Sequence, residues 1–222
     1  MDPRALLLVG IGALGLTLAW PRRAKAAGPA SRESAIDAIE SAYPATRGGL
    51  AAKIYDVAQR LGAHPYDLAN QIAFESAFTF SPSIENFACR KRRGPDSGRC
   101  AVGLIQFLPS TAAELLNMDS EVAAYRRMAA MSAIEQMDYV ERYYDRGGMR
   151  RLAGGVYDTP HKLALATFYP AYMNKDIDTP FPASAGVDNP DIDTPRSYVD
   201  AKLRKAKLSP SFELASRGEV FV

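Results

Sequence analysis

Histidine and cysteine are scarce in this 222-residue chain, two of each. Zinc sites draw on His and Cys at close ligand spacing. Cys89 and Cys100 have no histidine near them, and His64 and His161 stand apart from any ligand pattern. No metal is expected, and each histidine reads as a helix-start residue. A strong excess of charge of one sign is also missing, since the formal net charge is +2. What imbalance exists is local. Arg4, Arg22, Arg23 and Lys25 outweigh Asp2 near the N-terminus, and Arg90, Lys91, Arg92, Arg93 and Arg99 outweigh Asp96 in mid-chain. A nucleic-acid binder spreads such charge over a whole face, so no nucleic acid is expected as partner. The repeat Asp176-Ile177-Asp178-Thr179-Pro180 and Asp191-Ile192-Asp193-Thr194-Pro195 lacks the glycine turn and closing glutamate of a calcium loop. Both copies read as turns, and no cofactor is expected.

Long apolar runs are limited to one, Ala5 to Trp20. It is short for a spanning helix, which takes about 20 residues, and long for a signal core. Two readings compete: a signal peptide cleaved after Ala24-Lys25-Ala26, and an uncleaved anchor with Trp20, Arg22, Arg23 and Lys25 at the interface. The basic residues directly after the run favour the anchor. Residues 1–27 are therefore set apart, 28–49 read as a linker with a short helix over Glu33 to Ala42, and 209–222 as a tail. Between them, 50–208 is long enough and apolar enough for one mainly helical domain. Leu50, Ile54, Val57, Ala58 and Leu61 recur at helical spacing, Gly62 closes that helix, and Pro65 opens the next, to about Phe78. Ser132 and Glu135 form a capping box for a helix reaching about Tyr144, with Tyr139 and Tyr143 on one face. Further helices are expected over His161 to Tyr169 and Ser197 to Leu208.

The chain is organised around Phe74 to Ala112. Glu75 ends an apolar helical run among Ile72, Ala73, Phe74, Ala77 and Phe78. Dry surroundings disfavour the charged form of a carboxyl, which suits a general acid at neutral pH. The ordinary reading, a surface glutamate, is displaced by the residues downstream of it. Glu75-Ser76, Pro82-Ser83, Gly103-Leu104-Ile105-Gln106 and Pro109-Ser110-Thr111-Ala112 occur in that order. The set resembles the lytic transglycosylases of the soluble-lytic-transglycosylase type, and its Gln106-Phe107 form is similar to their phage-borne branch. The resemblance covers roughly 50–208.

The resemblance implies a mainly α, lysozyme-like catalytic domain whose partner is the peptidoglycan glycan strand. It implies cleavage of the β-1,4 bond between N-acetylmuramic acid and N-acetylglucosamine by a single carboxylic acid, Glu75, with a 1,6-anhydro product. A goose-type muramidase using water and a non-catalytic wall-binding or virion structural protein are the alternatives. Ser76, Gln106, Phe107, Tyr139 and Tyr169 are the substrate-binding candidates. Gln106 suits an acetamide, Phe107 and Tyr169 the sugar beside the scissile bond, and Tyr139 a cleft wall. Tyr169 stands where the family has a tyrosine followed by Asn, but Pro170 follows here and Phe168 competes for the place. Gly103 would let backbone approach a sugar. A wall-cutting domain works outside the cytoplasm, tethered through its N-terminal segment and acting in the periplasm, or carried in a virion, with virion or envelope proteins as partners. There Cys89 and Cys100 would form a disulfide stapling a basic insertion; two free thiols are the other reading.

Overall fold

A computed structural model describes residues 31–94, 97–182 and 192–216. The expected N-terminal hydrophobic segment, 1–27, and Asp96 lie outside the described residues. Among the described residues no helix is long and apolar enough to cross a membrane. The described chain is mainly helical, with only two isolated antiparallel bridges, Glu85 with Val102 and Val102 with Phe107.

Helix α1 (Arg32–Ala42) begins on Ser31, whose hydroxyl accepts from Ser34 N. Helix α2 (Leu50–Leu61) buries Leu50, Ile54, Val57, Ala58 and Leu61, the stripe its spacing selects. Gly62 ends it at φ 65°, a left-handed position where a Cβ would also collide with Val156. Helix α3 (Pro65–Glu75) starts on His64, whose Nδ1 accepts from Tyr66 N. Every residue of α3 from Asp67 to Ala73 is buried. It is the central helix, packed by α1, α2, α9 (Pro160–Phe168) and α10 (Pro195–Leu203). His161 is the second residue of α9.

The helix expected to reach Phe78 stops at Glu75. Ala77, Phe78 and Phe80 take φ values of 50°, 63° and 52°, which no α-helix accommodates. Left-handed backbone costs about 1–2 kcal/mol per non-glycine residue, so the turn needs support. Ser76 supplies it: buried, it donates to Ile72 O at 2.7 Å and accepts from Phe80 N at 3.1 Å.

Between α3 and α9 lie α4 (Phe87–Arg93), α5 (Pro109–Leu116), α6 (Glu121–Ala129), α7 (Ala133–Asp145) and α8 (Met149–Leu152). The Ser132–Glu135 capping box opens α7, which packs along α2, while α5 lies on α6. Cys89 and Cys100 are joined by a disulfide that ties exposed α4 to buried Cys100. The described parts of the two Asp-Ile-Asp-Thr-Pro copies are tied through the residue after each: Arg196 N donates to Ile177 O, Phe181 N to Asp193 O, and the Arg196 guanidinium clamps Asp178. Thr194 of the second copy caps α10.

The tail docks. Beyond α10, Lys207 N donates to Tyr43 Oη and Leu208 N to Asn70 Oδ1, while Ser211 N donates to Asp67 Oδ1. Helix α11 (Ser211–Ser216) then buries Leu214. Residues 209–216 thus belong to the folded body and are not a trailing end.

Two groups at the start of α3, buried Asp67 and half-buried His64, oppose each other in pH. Burial pushes the Asp67 carboxyl up from 3.8 to about 6, against the Ser211 hydrogen bonds, and pushes His64 down from 6.5 to about 4. The folded state holds Asp67's proton where the unfolded state has lost it, so that contribution falls as pH rises from about 4 to 6. His64 works the other way: the unfolded state takes up the proton, so its contribution falls as pH drops from about 6.5 to 4. Each full shift corresponds to about 3 kcal/mol, so the two nearly cancel between pH 4 and 6. D67N exposes the histidine slope, giving a melting temperature that climbs with pH across this window. H64N, which keeps a good cap, gives one that falls. Melting curves at pH 4.5 and 6.5 decide it; identical slopes in the three proteins would refute the account.

Candidate active site

The polar residues of α3 share one side of an otherwise apolar helix. Asp67, Asn70, Gln71 and Glu75 recur at three- and four-residue spacing, which stacks them on one face. That face looks toward α9, α10 and the docked C-terminal segment. Glu75, on the last turn, has a side chain only 13% exposed.

Three polar groups converge on its Oε1. Lys202 Nζ of α10 donates at 2.6 Å, Gln71 Nε2 at 3.1 Å and Thr167 Oγ1 of α9 at 3.3 Å. The three are bonded among themselves, Lys202 to Gln71 Oε1 at 3.1 Å and Gln71 to Thr167 at 2.9 Å. The carboxyl is therefore not kept dry by apolar neighbours alone, as its sequence context suggests; a polar cage from three helices encloses one of its oxygens. Oε2 accepts no hydrogen bond from the described residues. The group is held by one oxygen and available at the other.

Lys202 is the feature the sequence hides. It is buried, its ammonium lies 4.7 Å from the Phe74 ring centroid and 4.5 Å from that of Tyr198, and both faces favour a cation. Burial pulls the Lys202 ammonium down from its ordinary range, while Glu75 pulls it back up. The Tyr143, Tyr144 and Tyr198 hydroxyls are pushed up, mainly by burial and further by the charge of Glu75. They stay neutral hydrogen-bonding groups around the site.

A small cavity of about 20 Å³ lies beneath the cage, lined by Asp67, Asn70, Gln71, Pro160, Ala164, Val199, Lys202 and Leu203. It has room for a single water, and Asp67 Oδ2 is buried without a partner. A wider depression of about 410 Å³ sits between α10 and α11, lined by Asp200, Leu203, Arg204, Phe212 and Glu213. Glu75 lines neither space. The wide one lacks the polar cage.

The other expected residues scatter by role. Ser76 is fully buried and commits its hydroxyl to the turn after α3, which removes it from contact with a ligand. Phe107 is 1% exposed and packs edge-on against Tyr143, a core position and not a sugar wall. Gln106, at φ 57°, turns its amide nitrogen inward to Ile84 O at 3.2 Å and Gly103 O at 3.1 Å. Its Oε1 is buried with no partner, so this amide braces its own loop and no hydrogen bond joins it to Glu75. Gly103, at φ 86°, makes room for the Gln136 carboxamide, which a Cβ there would strike, and not for a sugar. Tyr139 is half-buried with Arg142 over its ring at 4.9 Å, and Tyr169 caps α9 against Tyr172 and Phe181. Tyr198, which stacks on Phe168 at 4.2 Å, is an aromatic residue the motifs miss and whose hydroxyl feels Glu75.

The spacing of Asp67, Asn70 and Gln71 ahead of Glu75 is the one local signal for the cage. Nothing local could announce Lys202, 127 residues away. Among the described residues no cluster of His, Cys, Asp and Glu is able to hold a metal ion. No family model, no curated protein and no solved structure matches the chain.

Proposed function

We propose that the chain is a lysozyme-like lytic transglycosylase that cleaves the β-1,4 bond between N-acetylmuramic acid and N-acetylglucosamine in peptidoglycan. The observation that carries the reading is the half-anchored carboxyl: Glu75 Oε1 is fixed by Lys202, Gln71 and Thr167, and Oε2 is left to exchange a proton. The ordered Glu75-Ser76, Gly103-Leu104-Ile105-Gln106 and Pro109-Ser110-Thr111-Ala112 motifs support the assignment.

In the first step Oε2 gives its proton to the glycosidic oxygen as the bond to the muramyl anomeric carbon breaks. In the second, the muramyl 6-hydroxyl oxygen bonds to that carbon and returns its proton to Oε2. The acid is regenerated and an anhydro ring closes. An intramolecular nucleophile has a high effective concentration, so no second carboxylate has to hold a water. This fits the surroundings of Glu85, which is buried and bonded to Tyr125 Oη at 2.7 Å.

A membrane-anchored location in the periplasm or a virion belongs to this proposal, resting on the apolar run and basic flank of residues 1–27. Mass analysis of muropeptides from digested walls tests the reaction. Fragments ending in 1,6-anhydromuramic acid are expected. Reducing ends would replace the transglycosylase by a hydrolase, and absence of fragments would end the enzymatic reading.

A further inference from the structure

Burying an ion pair does little for stability alone, because desolvation offsets most of the attraction and apolar side chains of similar size often do as well. Lys202 is 6% exposed and its partner 13%. Its ammonium is also amply supplied with partners, two oxygens and two aromatic faces. Such a cage fixes a charge at one place. The place is the oxygen of Glu75 opposite the free one.

We propose that Lys202 is a positioning residue for Glu75: carried in by α10, its ammonium clamps Oε1 and leaves Oε2 as the oxygen that gives and takes the proton. The proposal rests on the reading of Glu75 as the acid. When Oε2 donates its proton, negative charge develops on the carboxyl, and a desolvated cation at 2.6 Å stabilises it far more than water-screened charges do.

The other groups facing this carboxyl are few. From α3 come Gln71 and, two turns nearer the helix start, Asp67; from α9, Thr167; from α7, Tyr143 and Tyr144; and from α10, Tyr198. Lys205 lies 5.9 Å from the Phe74 ring. The tyrosines are neutral, and Asp67 commits one oxygen to Ser211 N. Among the described residues, Lys202 is the cation paired directly with the carboxyl.

The placement also makes the C-terminal segment part of the site. Lys202 reaches Glu75 because α10 is held down by Tyr43, Asn70 and Asp67 through residues 207–211.

The test compares kcat and KM for muropeptide release by K202M, K202R and the unaltered protein. K202M should lower kcat about tenfold with KM unchanged, and K202R, which keeps a cation at Oε1, should restore most of it. An equal loss in K202M and K202R, or a rise in KM with kcat unchanged, would reduce Lys202 to a structural brace and overturn the proposal. A second measurement needs no variant and no turnover. Carbon-13 signals of the Glu75 carboxyl and the Lys202 ε-carbon should titrate with shared midpoints, as coupled groups do. Independent midpoints would overturn the proposal even if K202M fails to fold. Should E75Q keep full activity, the assignment of Glu75 as the acid falls, and the carbon signals still report whether the two groups are coupled.

Discussion

Exchange of Glu75 for glutamine should abolish muropeptide release while leaving a folded protein. Proton donation by a positioned acid contributes about 10²- to 10⁴-fold, so at least a hundredfold loss is expected. The amide keeps an oxygen for Lys202 and Gln71, so the cage can close around it. What it lacks is the negative charge. Removing one partner of a buried pair costs about 3–5 kcal/mol when nothing replaces it; with the hydrogen bonds retained, about 2 kcal/mol is expected. The double change E75Q/K202M removes the stranded ammonium and should recover most of that stability but none of the activity. This separates chemistry from folding. Release at the normal rate by a folded E75Q protein would end the assignment of Glu75.

The second large effect is structural and lies away from the acid. Gln136 on α7 is fully buried, and its carboxamide serves three segments at once. Oε1 accepts from Leu104 N at 2.7 Å, and Nε2 donates to Pro82 O and to Met128 O, both at 3.0 Å. The turn over 103–106, the loop after Phe80 and the end of α6 are pinned by one side chain. Q136A leaves the Leu104 amide hydrogen and the Pro82 carbonyl without partners and opens a cavity, while Met128 O keeps its bond from Met131 N. Each buried unsatisfied group costs about 1–3 kcal/mol, so a loss of about 4 kcal/mol is expected. For a chain of this size that is about 10 °C in melting temperature. G103A should act on the same contact, because a methyl at 103 meets the Gln136 amide and glycine alone takes φ 86° without strain. The two changes share one interaction, so Q136A/G103A should cost less than their sum. Full additivity would show that Gly103 serves something other than Gln136.

That glycine shows how a motif can be legible while its role is not. Gly103 and Gln106 stand out in the sequence as a loop that meets a ligand. In the structure both serve the loop itself, one accommodating Gln136 and the other bracing Ile84 and Gly103. Phe107 and Ser76 behave alike, buried and committed to neighbours in the fold. Residues around an acid can serve its scaffold as readily as its substrate, and spacing alone does not separate the two.

The helices whose causes are local can be read from the residues alone. The stripe of α2 with Gly62 behind it, the proline opening α3 and the capping box of α7 all act within a few residues, so a linear string carries them. It also singled out Glu75 as the carboxyl on the last turn of an apolar helix. Tertiary structure alone decided what that carboxyl meets. Thr167 and Lys202 arrive from helices 92 and 127 residues further on. No periodicity records such meetings, because the geometry of a long-range pair is set by how whole helices pack. The left-handed turn after Glu75 likewise belongs to the fold, since three non-glycine residues hold positive φ there only while Ser76 and its neighbours hold them in place.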